Sequence, residues 1–510
     1  MYRRTGIIQT FLRRQSTNAA TLPANKKSLI PLITCKNTEF NLMYDVDNKK
    51  TNLPHVSKIV LASKGWQHYK AKGDHFIIHP IKDIIETNLK DSTDFENLNL
   101  NETLLKNLRE KHDIRKATKL QQEAIAEIRN KNNVLIAAET GCGKTHAYLL
   151  PIIEQIIEQK SNEKESRQFN TPLVLILTPG RELAEQIGKF AKELSTGLNL
   201  NVKIIIGGNT KQKMFNPSFE DIDILVGSIG AISKLTTTGI VRMNKVKHVV
   251  LDEADTLLED SFNEKLVYFL RRFSFHIDTQ MILASATMPT NTDDVFRDVL
   301  DTDNMKKVVS SDLHKILPYV TQKFMRMNKS DRPENLLRII KSEVLKKRPV
   351  IVFSNKSNTC DYVSLFLNSN GIETFNLNGD MLMKIRTGRF EQFQNGEINV
   401  LSTTDCIGRG LNTVRARHII NFDFPLYMSD YIHRCGRIGR FGSSVNCRIT
   451  NFISSLRELD LVRKIEMSAR TNTELENVNA NIRQIINSKI EREISKLERM
   501  SLKELKESKN

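Results

Sequence analysis

Short aliphatic runs alternate with longer amphipathic stretches from about residue 96 to residue 310. Runs of this kind are typical of strands that are buried on both faces of a parallel sheet. The stretches between them carry apolar residues at helical spacing, as at Leu183, Ile187, Phe190 and Leu194. The alternation predicts a covered parallel sheet, with strands at residues 134–137, 173–177, 202–206, 222–226, 248–251 and 281–284.

The periodicity lapses at residues 311–319, which we interpret as a linker, and a second set of the same kind then begins. A chain of 510 residues is too long for one hydrophobic core. We therefore expect two similar α/β domains, domain 1 at residues 96–310 and domain 2 at residues 320–475. The strands of domain 2 are predicted at residues 321–325, 350–353, 374–377, 400–403, 418–421 and 447–452.

Two further segments carry weaker patterns. Residues 39–95 contain short apolar pieces and the single tryptophan, Trp66, without a motif, and we interpret them as an N-terminal extension. Residues 476–510 place isoleucines at helical spacing among dense charges. This spacing predicts a charged helical tail with an apolar stripe, which is a candidate contact for a protein partner.

Residues 1–38 contain no acidic residue and seven basic ones. An arginine-rich, acid-free and hydroxyl-bearing start is typical of a mitochondrial presequence and predicts a location in the mitochondrial matrix, with a basic RNA-binding arm as the alternative. Removal of these seven charges would lower the net charge from +17 to +10. The remaining chain stays basic, which favours a polyanionic partner.

Other classes of protein are disfavoured by what the sequence lacks. No apolar run approaches the roughly 20 residues of a membrane-spanning helix, so no membrane span is expected. The six cysteines show neither a C-x-x-C pair nor zinc-ligand spacing, and are read as reduced thiols. The protein is expected to be a monomer.

A glycine-containing turn between the first predicted strand and the following helix is the first candidate site. Gly141 and Gly143 allow backbone N–H groups to close around phosphates at a helix N-terminus. Lys144 would reach the β- and γ-phosphates, and the Thr145 hydroxyl would bind Mg²⁺. The turn predicts ATP and Mg²⁺ as ligands, although Ala138 replaces the first glycine of the usual pattern. Its residues are Ala138, Glu139, Thr140, Gly141, Cys142, Gly143, Lys144 and Thr145.

Asp252 and Glu253 follow the strand predicted at residues 248–251. Ligands bind at the carboxyl ends of the strands in open parallel sheets. Two adjacent acids alone would be interpreted as solvated surface. A phosphate-binding turn in the same domain indicates instead that they act on a bound nucleotide. Asp252 is then a candidate metal ligand. Glu253 is a candidate base that activates the attacking water.

The segment His433 to Arg440 reads H-R-C-G-R-I-G-R in domain 2. Guanidinium groups on such a turn can reach a γ-phosphate across a cleft and neutralise charge in the transition state. We assign this role to Arg437 and Arg440. Arg434 is read instead as a backbone-phosphate contact or as the partner of a local ion pair with Asp405 or Asp430.

These motifs together resemble a DEAD-box RNA helicase over residues 100–455, because D-E-A-D follows a strand and A-E-T-G-C-G-K-T precedes it. The resemblance implies two tandem RecA-like P-loop NTPase domains that close on ATP and RNA and separate strands locally. It implies that Gln121 reads adenine, that Gly410 and Asn412 contact the nucleotide, and that Ser285, Ala286 and Thr287 couple hydrolysis to strand separation. The RNA contacts it implies are Pro179, Arg181, Gly207, Gly208, Gly230, Arg386 and Thr404.

Several positions depart from the family pattern. Ile114 stands where an aromatic residue usually stacks on adenine, and Ala231 replaces a basic RNA contact. Met383 replaces the glutamine of Q-x-x-R, and Asn412 replaces an aspartate that binds ribose. Because the residues assigned to hydrolysis are all present, the pattern favours a working ATPase with unusual or partner-assisted RNA binding.

With the basic N-terminus, the whole chain resembles fungal mitochondrial DEAD-box helicases of large-ribosomal-subunit assembly, which implies ribosomal RNA or a pre-ribosomal particle as the substrate. Two alternatives stay open. One is an RNA-binding scaffold that uses the nucleotide as a switch and unwinds little. The other is a DNA helicase. RNA-stimulated ATPase activity, compared with stimulation by DNA, distinguishes the three.

Overall fold

The structure, a computed structural model, contains two α/β domains whose strands and helices alternate along the chain. It describes residues 29–45, 50–51, 59–80, 92–162, 168–207, 220–258, 260–272, 279–288, 304–317, 319–405, 413, 415–439, 447–476 and 478. The predicted presequence up to residue 28 and nearly all of the predicted helical tail lie outside these residues, as do the predicted site residues Gly208, Gly410, Asn412 and Arg440.

The strands are short, and those at the centre of the two large sheets are entirely buried. In chain order they are β1 (Leu29–Cys35), β2 (Leu42–Asp45), β3 (Lys50–Thr51), β4 (His75–Ile78), β5 (Thr93–Asp94), β6 (Lys116–Ala117), β7 (Val134–Ala137), β8 (Val174–Thr178), β9 (Val202–Ile205), β10 (Ile224–Ser228), β11 (His248–Asp252), β12 (Gln280–Ser285), β13 (Lys306–Val309), β14 (Thr321–Arg326), β15 (Val350–Ser354), β16 (Thr374–Leu377), β17 (Val400–Thr404), β18 (His418–Asn421) and β19 (Arg448–Ile453).

The helices lie between these strands and cover both faces of the sheets. They are α1 (Glu102–His112), α2 (Lys119–Arg129), α3 (Lys144–Asn162), α4 (Arg181–Leu194), α5 (Ile229–Thr237), α6 (Ala254–Leu257), α7 (Asp260–Arg272), α8 (Arg332–Leu345), α9 (Ser357–Ser369), α10 (Met383–Asn395), α11 (Met428–Cys435) and α12 (Leu456–Thr471).

Domain 1 is built on a parallel sheet of seven strands in the order β13-β7-β12-β11-β8-β10-β9. All five residues of the central strand β11 are buried, as expected for a strand covered by helices on both faces. The six strands predicted for this domain all form. The sequence missed β13, which pairs with β7 at the edge of the sheet and carries only one buried residue.

Domain 2 contains the six predicted strands as a parallel sheet in the order β16-β17-β15-β18-β19-β14. This sheet continues beyond β14 through four strands of the N-terminal extension, β4, β1, β2 and β3, which pair antiparallel. In the first of these pairs, Gln322 lies opposite Ile78 and Met325 opposite His75. The extension is therefore part of domain 2, although domain 1 follows it in the sequence.

Aromatic packing joins the extension to the core of domain 2. The ring of Trp66 lies 5.5 Å from that of Phe76, which stacks on Phe324 of β14 at 4.6 Å. Glu466 of α12 is fully buried and accepts hydrogen bonds from the backbone N–H groups of Ala62 (2.8 Å) and Ser63 (2.9 Å). A buried carboxylate that accepts two backbone hydrogen bonds fixes the segment in place.

Two predicted boundaries are corrected by this arrangement. Residues 29–38 do not belong to a presequence, because β1 lies inside the sheet and its Ile33 side chain is fully buried. A leader formed by the preceding residues would end before Leu29. Domain 2 does not start at residue 320, because it also contains the extension up to Ile78.

The described part of the predicted linker, residues 311–317 and 319, contacts both domains through His314. His314 accepts a hydrogen bond at Nε2 from the backbone N–H of Met288 in domain 1 (3.0 Å). Its carbonyl accepts another from the N–H of Leu475 in domain 2 (2.8 Å). Along the described part of the chain, none of the helices is both long and apolar enough to cross a membrane.

Substitution of Trp66 tests whether the extension is integral to domain 2. Trp66→Ala is expected to lower the free energy of unfolding by about 3–5 kcal/mol, because it leaves a large cavity under the extension. Tyr69→Ala is the matched control, since the Tyr69 side chain is 78% exposed while that of Trp66 is 2% exposed. The control should change stability by no more than about 0.5 kcal/mol in denaturant unfolding. Equal stability of both variants would show that the extension does not support the domain.

Candidate active site

The turn between β7 and α3 is shaped to hold a phosphate. Gly141 and Gly143 have φ angles of 89° and 88°, a left-handed conformation that a side chain would strain. Lys144 donates from Nζ to the carbonyl oxygens of Ala138 (2.6 Å) and Glu139 (3.0 Å), so its ammonium group lies over the turn. Phosphate oxygens are stronger partners for an ammonium group than backbone carbonyls are, so an entering nucleotide would take over these hydrogen bonds.

The polar groups of this turn fit a nucleotide with its metal ion. Thr140 Oγ1 and Glu139 Oε2 are buried without a protein partner, which is costly unless a ligand supplies one. The Tyr148 hydroxyl donates to Asp252 Oδ2 (2.8 Å) and also contacts the side chain of Thr145. Mg²⁺ is commonly bound by one or two protein oxygens together with phosphates and water. Thr145 and Asp252 match that donor set, whereas no cluster of three His, Cys, Asp or Glu suited to a metal occurs within the described ranges.

Gln121 connects the start of α2 to the phosphate-binding turn. Its side chain is 3% exposed, and its Nε2 donates to the carbonyl of Gly143 (3.1 Å). Its Oε1 accepts from the N–H of Thr118 (2.9 Å), which completes the N-terminal cap of α2. A Cβ atom on Gly143 would overlap the Gln121 amide, so the turn and this glutamine are packed as one unit. Its predicted role in reading adenine stays a prediction.

Asp252 ends β11 and Glu253 follows it, as predicted. Burial raises the pKa of the Asp252 carboxyl, and the Tyr148 hydrogen bond and the charge of Lys144 oppose that rise. Glu253 adopts a left-handed backbone conformation with φ of 51°, which is unfavourable for a residue with a side chain by about 1 kcal/mol. Strain of this kind at a strand end is typical of residues held for function.

The pKa of the Glu253 carboxyl is also raised. Desolvation raises its pKa, while the positive groups of His433 and Arg437 from domain 2 lower it in part. A carboxylate with a raised pKa accepts a proton more readily from an attacking water. The two domains therefore both set the proton affinity of this residue.

Asp255 contacts domain 2 directly, and its role was missed by the sequence analysis. Its Oδ2 accepts from the backbone N–H (3.0 Å) and the hydroxyl (2.8 Å) of Thr287, and lies 3.5 Å from Nε2 of His433. Burial disfavours the charge of Asp255, but His433 and Thr287 together outweigh it and lower its pKa. Ser285 donates to the carbonyl of Thr287 (2.5 Å). The predicted coupling residues thus reach domain 2 through Asp255, the last letter of the D-E-A-D motif.

The arginines of domain 2 divide into two environments. Arg434 is buried and pairs with Asp405 at 2.5 Å, and also donates to Asn355 (2.6 Å), so it holds domain 2 together. This placement matches the local ion pair expected from the sequence. Arg437 is 5% exposed and is held by a hydrogen bond from its Nε to the carbonyl of His433 (3.0 Å). The positive charge of Arg437 lowers the pKa of Glu253 in domain 1, so the two residues influence each other across the boundary between the domains.

Close packing brings the arginine motif onto the phosphate-binding turn. A Cβ atom on Gly436 would overlap the hydroxyl of Thr140. Only a residue without a side chain therefore allows domain 2 to approach the turn this closely. The structure thus represents the closed arrangement of the two domains.

The residues predicted to bind RNA lie at the carboxyl edges of both sheets. In domain 1, Pro179 follows β8, Arg181 begins α4 and lies over Gly207, and Gly230 lies in the first turn of α5. In domain 2, Thr404 ends β17. Their contact with RNA stays a prediction.

Arg386, whose contact with RNA also stays a prediction, lies at the boundary between the two domains. Its guanidinium pairs with Glu182 of domain 1 at 3.0 Å and also contacts the sulfur of Met383 (3.4 Å). Both charged side chains are largely buried. The structure therefore places Arg386 in the contact between the domains, where Met383 packs against it in place of the glutamine of the family pattern.

A cavity of about 300 Å³ runs along the phosphate-binding turn. It is lined by residues of α2 and the turn before it, by the turn itself and by the linker: Thr118–Leu120, Glu123, Glu139–Cys142, Val309–Asp312, Tyr319 and Gly439. Tyr319 is the one aromatic residue among these lining residues, and the sequence analysis did not identify it. Ile114, in contrast, packs against the core of domain 1. Tyr319 therefore brings an aromatic side chain to this cavity, whereas Ile114 does not line it.

Comparisons with known proteins agree with this geometry. The DEAD/DEAH box helicase family model matches residues 118–295, and the helicase conserved C-terminal domain matches residues 331–442. A mouse protein named probable ATP-dependent RNA helicase DDX28 is 34% identical over 431 residues, which cover 80% of this chain and 79% of the relative. The chain belongs to the DEAD-box family of ATP-dependent RNA helicases.

Other relatives of this helicase have the same organisation. The human protein of the same name is 32% identical over 448 residues, covering 83% of this chain and 82% of the relative. Among solved structures, S. cerevisiae Dbp5 bound to RNA and ADP BeF3 has a TM-score of 0.61 at 24% identity, covering 75% of this chain and 94% of Dbp5. Mss116 bound to ssRNA and UDP-BeF has a TM-score of 0.62 at 21% identity, covering 74% and 77%. The two structures establish the shared fold of tandem RecA-like domains.

Substitution of Gly436 tests the closed arrangement. Gly436→Ala is expected to disfavour closure by about 1–3 kcal/mol, because the added methyl group overlaps Thr140. RNA-stimulated ATPase activity should fall roughly 5- to 150-fold, while ATP affinity without RNA changes little. Gly388→Ala in α10 is the control, since its Cβ would meet open space. Equal RNA-stimulated activity of both variants would contradict the close approach of the two domains.

Proposed function

We propose that this DEAD-box helicase acts in the mitochondrial matrix and remodels ribosomal RNA during assembly of the large ribosomal subunit. Support for the location comes from residues 1–28, which contain six basic residues and no acidic one. Support for an RNA substrate comes from the net charge, which is +11 after the six basic residues of 1–28 are subtracted from +17, and from the likeness to relatives named as RNA helicases.

The observation that carries the proposed mechanism is the buried contact between Asp255 and His433. It joins α6, which starts directly after Asp252 and Glu253, to α11, which ends two residues before Arg437. ATP hydrolysis in this proposal occurs only in the closed state, because Arg437 comes from domain 2 and Glu253 from domain 1. RNA promotes closure by binding the carboxyl edges of both sheets.

Each residue of the site has one task in the hydrolytic step. Lys144 and the backbone of its turn bind the phosphates of ATP, and Gln121 contributes to the choice of adenine. Mg²⁺, when bound through Thr145 and Asp252, would neutralise phosphate charge.

Glu253 orients the attacking water and takes its proton as the bond between that water and the γ-phosphorus forms. The bond from the γ-phosphorus to the bridging oxygen breaks, and Arg437 stabilises the developing charge. We assign the same task to Arg440, which lies outside the described residues.

The RNA contacts of the proposal are mainly to the backbone. Pro179, Arg181, Gly207 and Gly230 provide the edge of domain 1, and Thr404 that of domain 2. Backbone contacts carry little sequence information and make binding steeply dependent on salt. The specific RNA target would then be chosen by segments or protein partners outside the two sheets.

Trapping the helicase on its RNA tests the proposed function. Glu253→Gln should retain ATP and RNA binding but lose about 10²- to 10⁴-fold in turnover, since the amide cannot take the proton. The variant would therefore stay closed on its substrate. Crosslinking in cells followed by sequencing should recover large-subunit ribosomal RNA of mitochondria, enriched over the wild-type protein.

Lys144→Ala, which cannot hold the phosphates, should not show the same enrichment. Crosslinks spread over cytosolic RNA would contradict the location. Crosslinks to mitochondrial messenger RNA would contradict the assembly role. Unchanged ATP turnover in Glu253→Gln would contradict the assignment of the base.

A further inference from the structure

The N-terminal extension places a basic and aromatic turn beside the RNA-facing edge of domain 2. Residues 62–72 form two short 3-10 helices, Ala62–Gln67 and Tyr69–Ala71, which we call the extension turn. Because β4 pairs antiparallel with β14, the turn that precedes β4 lies at the carboxyl end of β14. The guanidinium of Arg326, the last residue of β14, donates to the carbonyl of Trp66 (3.1 Å).

The carboxyl end of β14, where the extension turn lies, is at the same edge of the sheet as the predicted RNA contact of domain 2. Thr404 ends β17, and β17 and β14 run parallel in one sheet. Four strand spacings separate them, which corresponds to about 19 Å. A single strand of RNA that leaves the cleft along this edge would pass the extension turn.

The extension turn is a rigid platform rather than a flexible arm. Trp66 anchors it from below with a side chain that is 2% exposed, and the buried Glu466 binds its first two backbone N–H groups. The cap of its second 3-10 helix comes from His68, whose Nδ1 accepts from the N–H of Lys70 (3.4 Å). The groups on its outer face are therefore held in place before a ligand arrives.

The outer face combines an aromatic ring with positive charge. Tyr69 is 78% exposed and lies with its ring 4.7 Å from that of His68. Lys64 and Lys70 are exposed on the same turn, and neither forms an ion pair with the parts of the chain that the structure describes.

Two other lysines near the turn have acidic partners. Lys36 pairs with Asp74 at 3.1 Å, and Lys72 pairs with Asp331 at 3.2 Å. Lys64 and Lys70, in contrast, are exposed and form no ion pair within the described ranges, so they are available to a polyanion.

We infer that the extension turn is a second RNA-binding site, which takes single-stranded RNA that flanks the segment held between the two domains. A base stacks on Tyr69, and Lys64 and Lys70 contact the neighbouring phosphates. Aromatic stacking tolerates any base, and lysine contacts with phosphates carry no sequence information. The site lengthens the RNA footprint without adding a sequence preference. The inference rests on RNA binding by the helicase domains.

Binding of three RNAs by the full-length protein with a non-hydrolysable ATP analogue tests the site. One RNA is short enough to fill only the cleft. The other two are the same RNA extended at its 5′ end or at its 3′ end. Tyr69→Ala should weaken binding of one extended RNA about 5- to 100-fold and leave the short RNA unchanged, since stacking of a base is lost. The double variant Lys64→Ala/Lys70→Ala should reduce the salt dependence of extended-RNA binding by about 1.4 in log–log slope.

Matched controls separate the site from general effects of charge and folding. Lys346→Ala/Lys347→Ala removes the same charge from the segment just before β15, at the opposite edge of the same sheet, and should leave both RNAs unaffected. Tyr268→Ala removes a tyrosine that is 62% exposed on domain 1 and should also have no effect. Thermal unfolding of each variant confirms that it is folded.

Three outcomes would overturn the inference. One is wild-type affinity of Tyr69→Ala for both extended RNAs, which leaves the helicase assignment intact. A second is equal loss on the short and extended RNAs, which places the effect in the cleft. The third is a wild-type protein that binds none of these RNAs, which would also contradict RNA binding by the two domains.

Discussion

The buried pair of Asp255 and His433 is the contact on which the organisation of the active site depends. Each side chain is nearly inaccessible to solvent, and Nε2 of His433 lies 3.5 Å from Oδ2 of Asp255 across the boundary between the domains. Separation of the domains would expose Asp255 to water and move His433 and Arg437 away from Glu253, whose pKa they lower. In the proposed mechanism, the pKa of Glu253 would therefore differ between the open and closed states.

The N-terminal extension changes how the two domains are connected. Strands β1–β4 complete the sheet of domain 2, the chain then forms domain 1, and the linker returns it to domain 2. Domain 1 is thus inserted into domain 2 in the sequence, and domain 2 is built from two separate parts of the chain.

The sequence predicted much of this molecule because its central parts have strong local signals. The twelve predicted strands, the phosphate-binding turn and the acids after β11 carry runs or spacings that need no partner to be recognised. Strands β2, β3 and β4 were missed because they are only two to four residues long and pair antiparallel at a sheet edge. Strand β1 is seven residues long but is interrupted by a bulge near Pro31. Their strand character depends on β14, almost 250 residues away in the sequence.

Several residues of the candidate site could not be predicted from the sequence for a related reason. Tyr319 and Glu182 are ordinary residues until the linker or the second domain places them at the cleft. In the sequence, Gly436 is one of two glycines in an arginine-rich motif. The structure shows that a side chain is excluded at this position because it would overlap Thr140. Contacts between domains leave no periodicity in either partner, so single-sequence reasoning has no pattern to detect.

The most direct test of the central claim is a charge exchange at the contact between Glu182 and Arg386, which lies outside the nucleotide site. RNA-stimulated ATPase activity would be measured for Glu182→Arg, for Arg386→Glu and for the double variant. If hydrolysis requires closure, each single variant should lose an order of magnitude or more, because a buried charge is left without its partner. The double variant should recover a large part of that loss. Full activity in the single variants, or a double variant no better than either, would contradict the account.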